Sequence, residues 1–244
     1  MLNCKELKNE TDQLSNISKT WFYLDTGVGD GLFNMACDSF LLDKLILGNF
    51  DQPVLRIYGW DKDTWSLGLN QDFNFDSSSV PIVKRVTGGQ AVLHETVEKE
   101  ITYSIVVKYG YKLKQLYSEV GGILFYFLSL YGLDASFGYK KGEYLKSFNC
   151  FESKTIADIV VEDKKVIGNA QYRKKEYILQ HGSIKLDLIK NFSKKGKASD
   201  LNQITINLKK SFEECLKIGF LDYTLSEDDL SNINKIKNKY LINN

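Results

Sequence analysis

Three side chains able to do nucleophilic or acid–base chemistry fall inside one short stretch of this 244-residue sequence: Cys150, Lys165 within KKVIGNAQ, and His181 within HGS. A thiol attacks only as the thiolate, and an ammonium group held beside it lowers its pKa toward neutrality. Cys150 as nucleophile with Lys165 as that ammonium suits acyl transfer through a thioester. Gly168 lies in the same stretch, and a glycine inside a strand marks either the close approach of a ligand or backbone, or a bulge. The other reading of Cys150 is a buried structural thiol.

A second group lies upstream, in VKRVTGGQAVLHE at residues 83–95. Adjacent glycines weaken a strand, so Gly88 and Gly89 after Thr87 imply backbone set against something else, such as a substrate carbonyl, a thioester or an acyl chain. A hairpin turn joining 82–86 to 90–94 is the alternative. His94 closes the segment, and the chain has two histidines in all, His94 and His181. Both sit in glycine-containing motifs, unlike the usual packing histidine. Two histidines in separate segments and four cysteines without CxxC spacing give no zinc signature, and no metal site is expected.

In order along the chain, Arg85-x-Thr87-Gly88-Gly89-x-Ala91-x-x-His94, Lys165-x-x-Gly168-Asn169-Ala170-Gln171 and His181-Gly182-Ser183 resemble the lipoate-protein ligase and octanoyltransferase family, whose catalytic domain is shared with biotin-protein ligases. Trp21-x-x-x-Asp25-Thr26-Gly27 with Asn34-Met35-Ala36-x-Asp38 looks like the opening strand and first helix of that domain. Residues 55–60 (LRIYGW) and 66–71 (SLGLNQ) look like its next two strands, so the resemblance spans most of 20–240. It implies that Arg85, Thr87, Gly88, Gly89, His94, Gly168, Asn169, Ala170 and His181 bind substrate.

Branches of the family differ in chemistry. Lipoate ligases activate a free acid with ATP through an acyl-adenylate, whereas octanoyltransferases accept a ready-made thioester and hold the acyl group on cysteine. Cys150-Phe151, fifteen residues ahead of Lys165, is similar to the cysteine position of LipM-type octanoyltransferases. The resemblance therefore implies Cys150 and Lys165 as catalytic residues and a ping-pong transfer of octanoyl from acyl carrier protein to a lysine of a lipoyl domain or glycine-cleavage H protein. Exchange between thioesters is nearly isoenergetic, so no ATP or other cofactor is expected. Backbone N–H groups at Gly88-Gly89 would stabilise the oxyanion. The alternatives are an ATP-dependent ligase without the accessory domain and an amidotransferase acting between lipoyl domains.

The elements that must position these residues read as α+β, or α/β in looser usage: a mixed, mostly antiparallel sheet flanked by helices. Alternation predicts a meander of strands over 155–162, 165–172 and 177–188, with turns at 163–164 and in the basic run between 172 and 177. Helices are expected near 31–48, 112–131, 203–219 and 226–240, the last capped by Ser226 with Asp229. Residues 1–19 read as an amino-terminal extension, a tail or a short first helix, and 20–244 as one catalytic domain. Cys37 and Cys215 fall on apolar faces of helical segments and read as packing residues.

Thirty-two basic against 31 acidic residues leave a net charge of +1, which gives no case for nucleic acid. The longest apolar stretch, 120–133, is too short for a bilayer, and residues 1–19 contain no signal-like apolar run. A cytoplasmic enzyme with reduced thiols is expected. Carrier proteins present acidic surfaces, as the resemblance implies, and Arg173-Lys174-Lys175 is the favoured basic patch over Lys140-Lys141 and Lys194-Lys195 with Lys197.

Overall fold

The computed structural model describes residues 12–72, 80–110, 112–138, 157–193 and 200–242. Its elements, in chain order, are α1 (Asp12–Ile17), β1 (Thr20–Gly29), α2 (Gly31–Ile46), β2 (Val54–Trp60), β3 (Thr64–Leu67), β4 (Ile82–Lys84), β5 (Val92–His94), β6 (Glu100–Lys108), α3 (Leu113–Ser129) and β7 (Ser136–Phe137). There follow β8 (Ile159–Val161), β9 (Lys164–Lys174), β10 (Tyr177–Lys185), α4 (Leu186–Phe192), α5 (Leu201–Leu216), β11 (Gly219–Asp222), α6 (Glu227–Ile236) and a 3-10 turn (Lys237–Tyr240).

Among the described residues, eight strands form one sheet in the order β11-β1-β2-β6-β10-β9-β8-β7, and β4-β3-β5 form a small second sheet. In the small sheet β3 pairs with β4 in parallel and with β5 antiparallel, and in the large sheet only the β11-β1-β2 end pairs in parallel. The strands of the large sheet from β2 onward pair antiparallel, as the alternation predicts.

Side-chain parity divides the large sheet into two faces. Leu55 and Ile57 of β2 join Ile101, Tyr103, Ile105 and Val107 of β6 in a core with α3 and α5. Val54, Tyr58 and Trp60 join Val106 and Leu179 in a second core against α2. Both faces of β2 and β6 are thus covered, which is why these strands read as nearly unbroken apolar runs. The amphipathic α5 buries Ile204, Leu208, Phe212 and Leu216, four residues apart along one stripe. Segment 12–17 is docked as well: Leu14 is fully buried and its N–H donates to Glu119 Oε2 at 2.6 Å.

Several expected boundaries move. The third strand of the meander stops at Lys185, and Leu186 starts a helix whose inward residues are Leu186 and Ile189. A 186–189 spacing is helical, yet in sequence it extends the apolar run of the strand. The first meander turn falls at Glu162 and Asp163, both with positive φ, 47° and 61°, the pair of values that a two-residue hairpin with matching twist requires. The capping box of Ser226 and Asp229 is present in full. Cys37 is a free, buried thiol, and Cys215 belongs to the core that α3 and α5 share, so both pack as expected.

Candidate functional site

Strand register collects the motifs on the α2 face. His181 of β10 lies opposite Ser104 of β6 and Ala170 of β9, and Ser183 lies opposite Thr102 and Gly168. These residues share a face with Leu179 and Val106, which pack toward α2. The small sheet supplies the other wall. β3 lies between β4 and β5, so the segment Arg85–Ala91 crosses over β3 and is not the hairpin that Gly88-Gly89 also allows. Gly89 has φ +97°, and its carbonyl oxygen lies only 1.9 Å from where a Cβ on Gly68 would be. The paired glycines therefore serve a close backbone approach.

Between these walls is a narrow cavity of about 40 Å³ lined by Met35, Tyr58, Ser66, Arg85, Gly89, Val92, His94, Thr102, Gly168, Asn169, Ala170, His181, Gly182 and Ser183. Of the residues expected to bind substrate, Arg85, Gly89, His94, Gly168, Asn169, Ala170 and His181 line it. Thr87 is fully buried behind it and bonds His181 Nε2 at 2.8 Å.

Arg85 organises the crossing segment. Its Nη2 donates to the carbonyls of Gly88 at 2.9 Å and Gln90 at 2.7 Å, its Nε to Thr87 Oγ1 at 3.1 Å, and its Nη1 to Ser66 O at 2.6 Å and Ser66 Oγ at 3.1 Å. In a trans peptide the N–H points opposite to the carbonyl, so fixing Gly88 C=O on the guanidinium aims the N–H of Gly89 away from it.

His94 stacks on Trp60 with ring centroids 3.8 Å apart. Its Nδ1 meets Glu100 Oε1 at 2.6 Å and Ser183 Oγ at 3.1 Å, and its Nε2 meets Ser66 Oγ at 2.8 Å. Burial pushes the His94 pKa below the ordinary histidine value and outweighs the opposing pull of Glu100. The other carboxylate oxygen of Glu100 accepts from Lys185, and although burial alone would raise the Glu100 pKa, His94 and Lys185 hold it low.

Behind His181 lies a buried polar cluster built on Asp38 and Arg56, residues that fall in the family-like segments but to which the sequence assigned no role in the site. Asp38 Oδ2 accepts from His181 Nδ1 at 3.2 Å and Tyr58 OH at 3.0 Å, and Oδ1 from Arg56 Nη1 at 2.7 Å and Ser104 Oγ at 2.8 Å. Burial opposes ionisation of Asp38, yet Arg56 and His181 lower its pKa below the ordinary carboxylate value. The signal was available: Asp38 and Arg56 are charged residues inside otherwise apolar elements, FNMACDSFLL and VLRIYGW, where a charge survives only if paired.

Two expected residues have other partners. The Asn169 side chain accepts from Tyr103 OH at 2.6 Å and donates to Ala157 O at 2.6 Å, so it clamps strands together at the edge of the cavity. Lys165 lines a neighbouring charged groove with Glu95 and Lys185, and its Nζ pairs with Asp158 at 3.0 Å, both side chains almost fully buried. Cys150, and the Lys140-Lys141 and Lys194–Lys197 patches, lie outside the described residues. Among the described residues there is no cluster of metal-ligating side chains, and no helix is long and apolar enough to cross a membrane.

Residues 30–214 match the model of the lipoyl protein ligase A/B catalytic domain. The chain belongs to that family. Curated relatives within it are named octanoyltransferase LipM. The protein of Kyrpidia tusciae is 38% identical over 188 residues, covering 70% of this chain and 67% of its own. That of Bacillus subtilis is 34% identical over 266 residues, covering 87% and 92%. Solved lipoyl ligase folds superpose over nearly the whole chain: a T. acidophilum protein with bound lipoic acid at TM-score 0.72 and 20% identity, covering 90% of this chain and 95% of that one. Lipoate-protein ligase A bound with ATP gives 0.69 at 20% identity, with the same coverage. At that identity the superpositions establish the lipoyl ligase fold, which is the α+β architecture expected from the motifs.

Proposed function

We propose that this chain is an octanoyltransferase of lipoate biosynthesis, taking octanoyl from an acyl carrier protein thioester and delivering it to a lysine of a lipoyl domain or glycine-cleavage H protein. The observation that carries the reading is the match, over 87% of this chain and 92% of the relative, to a protein named octanoyltransferase LipM. The convergence of the sequence motifs on one cavity supports it.

In this mechanism the Cys150 thiolate attacks the donor thioester carbon, and the negative charge passes to the carbonyl oxygen. The N–H of Gly89, aimed away from Arg85, is a donor for that oxyanion. Collapse expels the carrier thiolate and leaves octanoyl-Cys150. The acceptor lysine, arriving as the neutral amine, attacks this second thioester and forms an amide. Its excess proton returns to the departing thiolate of Cys150, directly or through an intervening base. Lys165 is the cation for the thiolate, and it shares its charge with Asp158.

Mixing the enzyme with octanoyl-acyl carrier protein in the absence of ATP, followed by intact mass and peptide mapping, tests the proposal. An octanoyl adduct on Cys150 that a lipoyl-domain protein discharges is the expected result. Acylation that appears only with free octanoate and ATP would replace the proposal with the ligase reading.

A further inference from the structure

Two hydroxyl–imidazole–carboxylate chains converge on one guanidinium. The first runs Ser66 Oγ, His94 Nε2, His94 Nδ1, Glu100; the second runs Thr87 Oγ1, His181 Nε2, His181 Nδ1, Asp38. Both begin on a hydroxyl oxygen that accepts from Arg85, Ser66 through Nη1 and Thr87 through Nε.

Proton bookkeeping gives each chain a direction. An ionised carboxylate only accepts hydrogen bonds, and Asp38 takes four, from Arg56, Ser104, Tyr58 and His181. His181 Nδ1 must therefore carry a proton. Glu100, between His94 and Lys185, imposes the same on His94 Nδ1, whose proton also reaches Ser183 Oγ. Each hydroxyl oxygen already accepts from Arg85 and has a single proton left to give. The acceptor beside it is the histidine Nε2.

We infer that Asp38 and Glu100 are positioning residues for acyl transfer: each fixes one histidine with Nδ1 protonated and Nε2 free to accept, and the two histidines hold Ser66 and Thr87 so that their oxygens clamp Arg85 from two sides. The clamped guanidinium then fixes the carbonyls of Gly88 and Gln90, and with them the direction of the Gly89 N–H. The inference rests on the octanoyltransferase reading for its kinetic consequence, and on geometry alone for the histidine protonation pattern.

This explains why both histidines of the chain sit in the two motifs, although neither is required as the nucleophile. Each acts behind a hydroxyl, one on each side of Arg85. Reversal of either ring would leave the hydroxyl oxygen facing N–H groups from both the histidine and Arg85, and would turn its own proton elsewhere.

Nitrogen-15 NMR of the tag-free protein reads the protonation pattern directly, because only two imidazoles contribute. Both rings are expected to show a protonated Nδ1 and an unprotonated Nε2 at neutral pH. A protonated Nε2 on either ring overturns the inference, whether or not the protein transfers octanoyl.

The kinetic arm uses Ser66→Ala, Thr87→Val and the double variant. Each single change should lower kcat for octanoyl transfer about 10- to 100-fold, the scale of a misplaced reacting group, with KM for the acyl carrier within about twofold. Thr87→Ser, which keeps the hydroxyl, should restore the rate. Because both hydroxyls act through one guanidinium, the loss in the double variant should differ from the product of the single losses. Product-like losses, or a Thr87→Ser protein as slow as Thr87→Val, would overturn the clamp. A wild-type protein without transferase activity would instead overturn the proposed function and leave the NMR result standing.

Discussion

At the scale of single residues, the groups that the sequence advertises work through partners that it does not. Asp158, Glu100 and Asp38 sit 7, 6 and 143 residues from the Lys165, His94 and His181 that they hold. Nothing in one-dimensional spacing joins such pairs, because strand register and packing create the contact. The Asp158 contact predicts behaviour at the thiol. An ammonium shared with a carboxylate stabilises a nearby thiolate less than an unshared one. Asp158→Asn should therefore lower the pH at which Cys150 is alkylated by iodoacetamide, and Lys165→Ala should raise it. An alkylation profile unmoved by either change would remove Lys165 from the thiol's environment. Lys165→Ala also takes an ion-pair partner from the buried Asp158, a change that costs up to about 3–5 kcal/mol, so its stability must be measured alongside. His94 gives a pH prediction. Its folded pKa lies below the ordinary value of 6.5, so its contribution to stability is fully present above pH 6.5 and is lost as pH falls toward the folded value. The Tm should decline on acidification from pH 7 to 5.5, and His94→Gln should flatten that decline. A slope identical in the two proteins would contradict the assignment.

At the scale of elements, periodicity revealed most of the frame: the meander strands, the helices α2, α3, α5 and α6, and the cap on the last of these. Apolar pattern and turn chemistry are local properties, so these were legible. What escaped was set by contacts distant in sequence. The four-residue β11 is a strand because it adds to the edge of β1, with Gly219 beside Thr20. The glycine pair read as a hairpin or a close approach, and only the position of β3 between β4 and β5 decides for the latter. Gly68 tests that decision. A methyl group there would fall 1.9 Å from Gly89 O, a backbone atom of the segment that Arg85 holds. Gly68→Ala should destabilise the fold by about 1–3 kcal/mol and reduce transfer, since the segment must move. Gly110→Ala, where a Cβ meets nothing within 4 Å, is the control and should keep both stability and rate. Equal melting curves and rates for the two variants would mean that the crossing segment tolerates displacement.

At the scale of the whole molecule, a net charge of +1 cannot steer an acidic carrier protein, so any steering must come from a local patch. The turn between β9 and β10 carries the favoured one, and the structure divides its three cations. Arg173 is occupied in shaping the turn, donating through Nε to Lys175 O at 2.8 Å and through Nη2 to Tyr109 O at 3.0 Å. Lys174 is half exposed and faces Asp43 at 3.6 Å, a surface pair of little worth, while Lys175 is exposed. Under the proposed function, the charge that this turn offers a carrier protein is therefore that of Lys174 and Lys175, and substitution of Arg173 would confuse docking with folding. Lys174→Glu combined with Lys175→Glu should raise KM for octanoyl-acyl carrier protein several-fold at low ionic strength and leave kcat nearly unchanged. The difference from wild type should shrink as salt approaches 1 M, where the screening length falls to about 3 Å. With a small uncharged octanoyl thioester that has no protein surface to dock, the double variant and wild type should perform alike. If KM for the carrier protein stays at its wild-type value at low salt, this turn is a solvated corner of the sheet and the carrier approaches elsewhere. If the small thioester suffers equally, the substitutions have disturbed β9 and β10, the two strands that carry Gly168, Ala170 and His181 to the cavity.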